Sequence, residues 1–220
     1  DNYTDAFEGN TFRALTDLET YQVKTGTYWI RVENNVTGCY KLDSFDVVVE
    51  KLPEPDILPN IGSNIACVNW NETLVNNNLI LDSQLTGDYT YEWYLNGSAT
   101  PIPGATSSTY QVTEMLNDTD VYTVKVISNA PGFGCIGENE FTVVRSGLAA
   151  SDTIFYTVSN YFSDTQTITV AVDGYGAPYG FSLDDGPILQ NNGIFENVSS
   201  GEHTVHIWDV KGGEYSCGEI

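Results

Sequence analysis

Basic residues are scarce in this chain. Eight Lys and Arg stand against 30 Asp and Glu, and the formal net charge is −22. A surface this acidic repels phosphate backbones and anionic lipid, which removes nucleic acid and the membrane surface as partners. Histidine occurs twice, and the four cysteines are far apart in sequence, so no zinc-ligand spacing is present. No run approaches the roughly 18 apolar residues needed to span a bilayer, so direct membrane insertion is not expected. The first residues lack a charged segment followed by an apolar one, and any export signal is expected to lie outside these 220 residues. Also missing are a Gly-x-Ser-x-Gly elbow, a His-Glu-x-x-His pair and a phosphate loop, and "GYGAPYG" (174–180) leads into a strand instead of opening a helix. The chain is expected not to be an enzyme.

What is present is strand chemistry. Thr, Val, Tyr, Asn and Gly are abundant and methionine occurs once, a balance that favours pleated, half-buried strands over helices. Internal similarity gives the organisation. "TYWIRVENNVTGCYKLDSFDVVVEK" (27–51) and "VYTVKVISNAPGFGCIGENEFTVVRS" (121–146) share an alternating strand, a loop, Gly-Cys and a second alternating strand. A weaker third copy, "EHTVHIWDVKGGEYSCGE" (202–219), places His203 where the others have Tyr28 and Tyr122, and Cys217 where they have Cys39 and Cys135. Proline-rich "KLPEPDILP" (51–59) and small-residue "RSGLAAS" (145–151) read as junctions. The expected units are 1–51, the C-terminal part of a module; 52–147, a complete module; and 148–220, a module without its last strand.

The middle unit reads as strands at 79–82, 89–95, 109–113, 122–128 and 139–145, the spacing of an all-β sandwich. In "YTYEWYL" (89–95), period 2 puts Tyr89, Tyr91, Trp93 and Leu95 on one face. Trp93 is therefore expected in the core, and Asn96-Gly97 supplies the positive φ angles of a tight hairpin. Tyr94 falls on the other face, where it is the aromatic of this run that would be available to stack on a sugar. "DTDVY" (118–122) carries the Asp-x-Tyr signature of a tyrosine corner at Tyr122; Tyr28 takes the same position in the first unit, without the Asp. Together these features predict tandem immunoglobulin-like β-sandwich modules with little or no helix.

Cys67 and Cys135 bracket the middle unit and are expected to form a disulfide. Cys39 would then need a partner from the missing first half of its unit, and Cys217 is either free or paired beyond residue 220. His203 and His206 are three apart in an apparent strand, which predicts opposite faces. "SLDDGP" (182–187) puts Asp184 and Asp185 at a turn, where Asp-Gly chemistry is sufficient reason for them and calcium is the sharper alternative, with Glu54 and Asp56 as further hard oxygens near a junction. No other cofactor is expected.

Three stretches carry a resemblance: "YWIRVENNVTGCYKLDSFDVVVEKLPEP", "YTYEWYLNGSATPIPGATSSTYQVT…YTVKVISNAPGFGC" and "YGFSLDDGPILQNNGIFENVSSGEHTVHIWD". They resemble successive modules of large Bacteroidota cell-surface proteins exported by the type IX secretion system, gliding-motility adhesins among them. The third stretch is similar to the module that in such proteins precedes a C-terminal sorting domain, which is itself absent from this sequence. The resemblance implies a secreted, cell-surface adhesin whose modules act as a stalk, with the type IX machinery as partner during export and disulfides formed outside the cell. It also implies O-glycosylation at Asp-Ser/Thr-apolar sites, which "DTI" (152–154) matches at Thr153. The competing expectation is a carbohydrate- or protein-binding accessory module on a secreted surface enzyme, its ligand unknown.

Overall fold

Alternation of apolar and polar residues at period 2 recurs along the chain, and the backbone follows it. The computed structural model describes residues 3–9, 15, 21–159, 164–188, 193–213 and 216–220. The architecture is all-β, with one short α-helix and one 3-10 turn among the described residues. Contacts divide the chain into Asp1–Lys51 and Leu52–Ile220, with the break at the proline-rich junction.

The first unit is a hairpin with a helical cover. β1 (Gly26–Glu33) pairs antiparallel with β2 (Tyr40–Val47), bringing Tyr28 opposite Phe45 and Glu33 opposite Tyr40. Their rings stack at Tyr28 and Phe45, 5.9 Å between centroids, and the Tyr28 hydroxyl donates to the Lys24 carbonyl at 3.0 Å. On the other face the six-residue helix α1 (Tyr3–Glu8) lays Tyr3 edge-on against Trp29 at 5.0 Å. Arg31 lies over the Tyr40 ring and donates to the carbonyls of Ala6 and Phe7, a cation at the end of α1 where the helix dipole is negative. Of the segment 3–12 that precedes the hairpin, residues 10–12 lie outside the described set.

The second unit contains two sandwiches. In the first, β3 (Leu58–Pro59), β5 (Ile80–Asp82) and β7 (Thr109–Gln111) form one sheet, and β4 (Ile65–Cys67), β6 (Tyr89–Leu95), β8 (Thr119–Ser128) and β9 (Ile136–Ser146) form the other in the order β4-β9-β8-β6. All pairs are antiparallel except β4 with β9. Between the sheets Trp93, Leu79, Leu81, Met115, Val124 and Val126 are fully buried. Tyr91 and Trp93 point inward as period 2 requires, and the Trp93 indole N–H finds the Ser107 carbonyl at 2.9 Å. Asn96 and Gly97 take φ of 51° and 66°, the left-handed turn expected of this pair.

In the second sandwich β10 (Phe155–Ser159), β11 (Thr165–Ala171) and β13 (Ile194–Ser199) face the pair β12 (Gly180–Leu183) and β14 (Val205–Trp208). Its core is Ala149, Val170, Tyr179, Phe181, Phe195, Val198 and Ile207. The expected modules 52–147 and 148–220 thus have a core each, and both belong to one compact unit.

The threefold repeat holds at the level of hydrogen bonds. Six residues after the marker aromatic or histidine, Asn34, Ser128 and Asp209 each accept the backbone N–H two residues ahead, from Val36, Ala130 and Lys211. The same three residues donate their own N–H across the loop, to the carbonyls of Cys39, Cys135 and Gly218. Residues 214 and 215 of the third copy lie outside the described set.

Tyr122 is 1% exposed, its hydroxyl donates to the Glu114 carbonyl at 3.3 Å, and burial raises its phenol above the ordinary range. The Asp of the same motif does separate work. Asp120 is fully buried and accepts from the Asn96 and Asn117 side-chain amides and from the Leu116 N–H, each at 2.7 Å. Burial pushes its carboxyl up, yet these bonds together hold it below the ordinary 3.8. A depressed carboxyl stabilises the fold above the unfolded pKa and loses that contribution as pH falls through the folded one. Asp120→Ala, which strands three donors, is expected to lower stability by about 2–4 kcal/mol in urea melts at pH 7. The gap between wild type and variant should shrink below pH 3.8.

Candidate functional site

A cluster of buried polar groups in the second unit lies where the two sandwiches meet. Cys67, at the end of β4, is bonded to Cys217, 150 residues away, with their Cα atoms 5.6 Å apart. This corrects the expected Cys67–Cys135 bond: Cys39 and Cys135 are both free. The reason is strand geometry. Cys67 pairs with Ser146 at the C-terminal end of β9, whereas Cys135 precedes the first residue of β9. At about 3.4 Å per residue the eleven residues of β9 separate the two thiols by roughly 35 Å, far beyond disulfide reach.

Beside the disulfide, Asp209 is fully buried. Its Oδ2 accepts from Ser146 Oγ at 2.7 Å and Ser216 Oγ at 3.0 Å, and its Oδ1 accepts the Lys211 N–H at 3.0 Å. Lys211 Nζ in turn donates to the carbonyls of Arg145 and Tyr175, at 2.8 and 2.9 Å. Arg145 lies 3.9 Å above the Tyr175 ring, which also packs on Trp70. The Tyr179 hydroxyl accepts the Gly176 N–H and lies 3.2 and 3.1 Å from the carbonyls of Gly147 and Leu148 on the connecting segment. Burial pushes the Tyr179 phenol up to about 12. Backbone from the two sides approaches so closely that a Cβ on Gly176 would collide with the Gly147 carbonyl, and one on Gly212 with Ile65. The bonds from Ser146 to Asp209, from Lys211 to the Arg145 carbonyl and from Tyr179 to the Gly147 carbonyl join the two sides, so these form only when both fold.

Sequence reasoning missed this joint. Asp209 sits in "WDVKGG" at the loop position that carries Asn34 and Ser128 in the other copies. An acid replacing neutral residues in an otherwise matched hairpin was the available signal.

The acidic turn carries less. Asp184 and Asp185 take φ of 49° and 59°. Both oxygens of Asp184 are engaged, Oδ2 with His203 Nδ1 at 2.6 Å and Oδ1 with the Thr204 N–H at 2.9 Å. His203 lies just before β14, which begins at Val205, and lines the space between the sheets together with Val205 and Ile207, whereas His206 does not. Both rings nevertheless reach the same turn, His206 Nε2 lying 3.4 Å from Asp185 Oδ1. Among the described residues no group of three or more His, Cys, Asp or Glu is arranged to hold a metal ion. Thr153, in the 3-10 turn Ser151–Thr153, donates from its hydroxyl to the Ala150 carbonyl and accepts the Asp173 N–H, bonds that a glycan on that oxygen would have to replace. Tyr94 is half-buried and its hydroxyl donates to Glu92 at 2.8 Å, which raises the phenol.

The chain matches no protein-family model and no curated protein.

Two outcomes follow from this geometry. Asp209→Ala removes the acceptor of two hydroxyls and one N–H from a dry site and is expected to cost about 3 kcal/mol in denaturant melts. Its signature is loss of a single transition, with the two sandwiches melting apart. The His203–Asp184 hydrogen bond raises the imidazole above 6.5 and lowers the carboxyl below 3.8. The raised His contributes fully below 6.5 and fades as pH rises through its folded value, while the lowered Asp contributes above 3.8 and fades as pH falls. An NMR titration should place the His203 midpoint above 6.5 in wild type and return it toward 6.5 in Asp184→Asn.

Proposed function

We propose that this chain is a spacer: tandem immunoglobulin-like modules of a secreted bacterial cell-surface adhesin, exported by the type IX secretion system and acting in a stalk that serves adhesion or gliding. The observation that carries the reading is the Cys67–Cys217 bond. A spacer must keep its length under tension. Force applied along the chain enters the second unit through residues 52–67, crosses the disulfide and leaves through residues 217–220, so the 150-residue span between the cysteines is bypassed. Everything between the two cysteines is relieved of tension by one covalent bond, and within the sandwiches the load falls on β3, β4 and residues 218–220. The polar joint around Asp209 supports the same reading, because its hydrogen bonds tie the two sandwiches to one another. Export to an oxidising exterior suits such a bond.

Single-molecule pulling from the two ends tests it. In the oxidised protein, unfolding of residues 68–216 should release no length. After reduction, or in Cys217→Ser, the contour should lengthen by on the order of 500 Å, from about 3.4 Å per residue over the span. Equal extension in both states would remove the mechanical argument. Micromolar binding of the oxidised chain on glycan or host-protein arrays would replace the spacer with a recognition module.

A further inference from the structure

The second sandwich is open along one edge. Its two sheets face each other across a cavity of about 470 Å³. Tyr156, Val158, Ile168 and Val170 form one wall and Val205 and Ile207 the other, with Ile220 at the rim. The apolar surface here is uncovered: Tyr156 is 67% and Ile220 41% exposed. In the first sandwich β8 presents Tyr122, Val124 and Val126 inward, and β9 lies opposite them with Phe141, Asn139 and Gly137. The repeat puts His203, Val205 and Ile207 at the same three positions. Of a counterpart to β9 the structure contains Glu219, which bridges Trp208, and Ile220, whose N–H and C=O both bond Ile207 at 3.0 and 2.9 Å.

That register has a consequence for the edge. In an antiparallel ladder the N–H and C=O of one residue point to the same side, and every second residue repeats the direction. Val205 therefore aims its backbone groups at the same open edge as Ile207. An apolar slot beside a strand whose pairing has already begun is the geometry that accepts an extended peptide, with main-chain bonds along the edge and alternate side chains in the slot.

We propose that this groove is the seat of a β-strand lying antiparallel to β14, in the register that Glu219 and Ile220 begin, with the side chain of every second residue entering the space between the sheets. Opposite Val205 and His203 it places residues equivalent to Asn139 and Phe141 of β9.

The test is the 220-residue chain extended after Ile220 by a copy of residues 138–146, which sets the β9 sequence in that register. Amide exchange at Val205 is expected to slow at least tenfold relative to the unextended chain, and 1-anilinonaphthalene-8-sulfonate fluorescence from the slot should be lost. An extension in which the copies of Phe141 and Val143 are Lys should do neither. Absence of protection from the β9 copy, or equal protection from the Lys version, overturns the proposal. So does dye fluorescence that survives in the β9 extension, the mark of a small-molecule pocket. Concentration-dependent protection of Val205 in the unextended chain, with dimer in sedimentation, would assign the groove to a second copy and overturn it as well.

Discussion

Cys67 and Cys217 are joined across 150 residues, and the tie closes most of the second unit into one covalent ring. In a chain-entropy view a loop of that size removes on the order of 5 kcal/mol of freedom from the unfolded chain. The more specific effect is positional. The bond fastens the loop after β14 to the end of β4, and this is the arrangement in which Asp209 can accept from Ser146 and in which Lys211 can reach the Arg145 carbonyl. The buried carboxylate is tolerated because Ser146, Ser216 and the Lys211 N–H occupy it. Remove the tie and the acid must find those donors against the entropy of a long flexible span.

The three hairpins show how one local design serves different ends. Asn34, Ser128 and Asp209 make the same short turn and the same bond across the loop. Only the acid has a second oxygen to spare, and it spends it on the neighbouring sandwich. The cysteines diverge in the same way: Cys39 and Cys135 remain thiols at their loops, while the third loop brings Cys217 to Cys67. A tyrosine caps the backbone in the first two copies, through Tyr28 to Lys24 and Tyr122 to Glu114. In the third, His203 holds the Asp184 turn.

Much of the fold was legible because it rests on local rules. Period 2 located β6 and sent Tyr91 and Trp93 inward, the Asn96-Gly97 pair marked its turn, and the Asp-x-Tyr motif located a capped Tyr122. The proline-rich stretch after Lys51 marked a real division. Strands β3 and β4 escaped because they are two and three residues long, too short for a period, and owe their pairing to partners elsewhere. The helix α1 escaped because its aromatics are ordered by Trp29 and Tyr40 and not by helix propensity. Parity separated His203, which lines the space between the sheets, from His206, but gave no sign that both rings would meet the turn of Asp184 and Asp185.

By itself, then, the sequence determined the class of structure: acidic, built of strands, threefold repetitive, with the core of the first sandwich and the turns that connect it. These follow from residue spacing and turn chemistry, which act over a few residues. Tertiary structure alone decided which cysteine meets Cys67 and that Asp209 is buried between two sandwiches. Those outcomes depend on which strand ends face one another across long stretches of chain, and no spacing within the sequence encodes that.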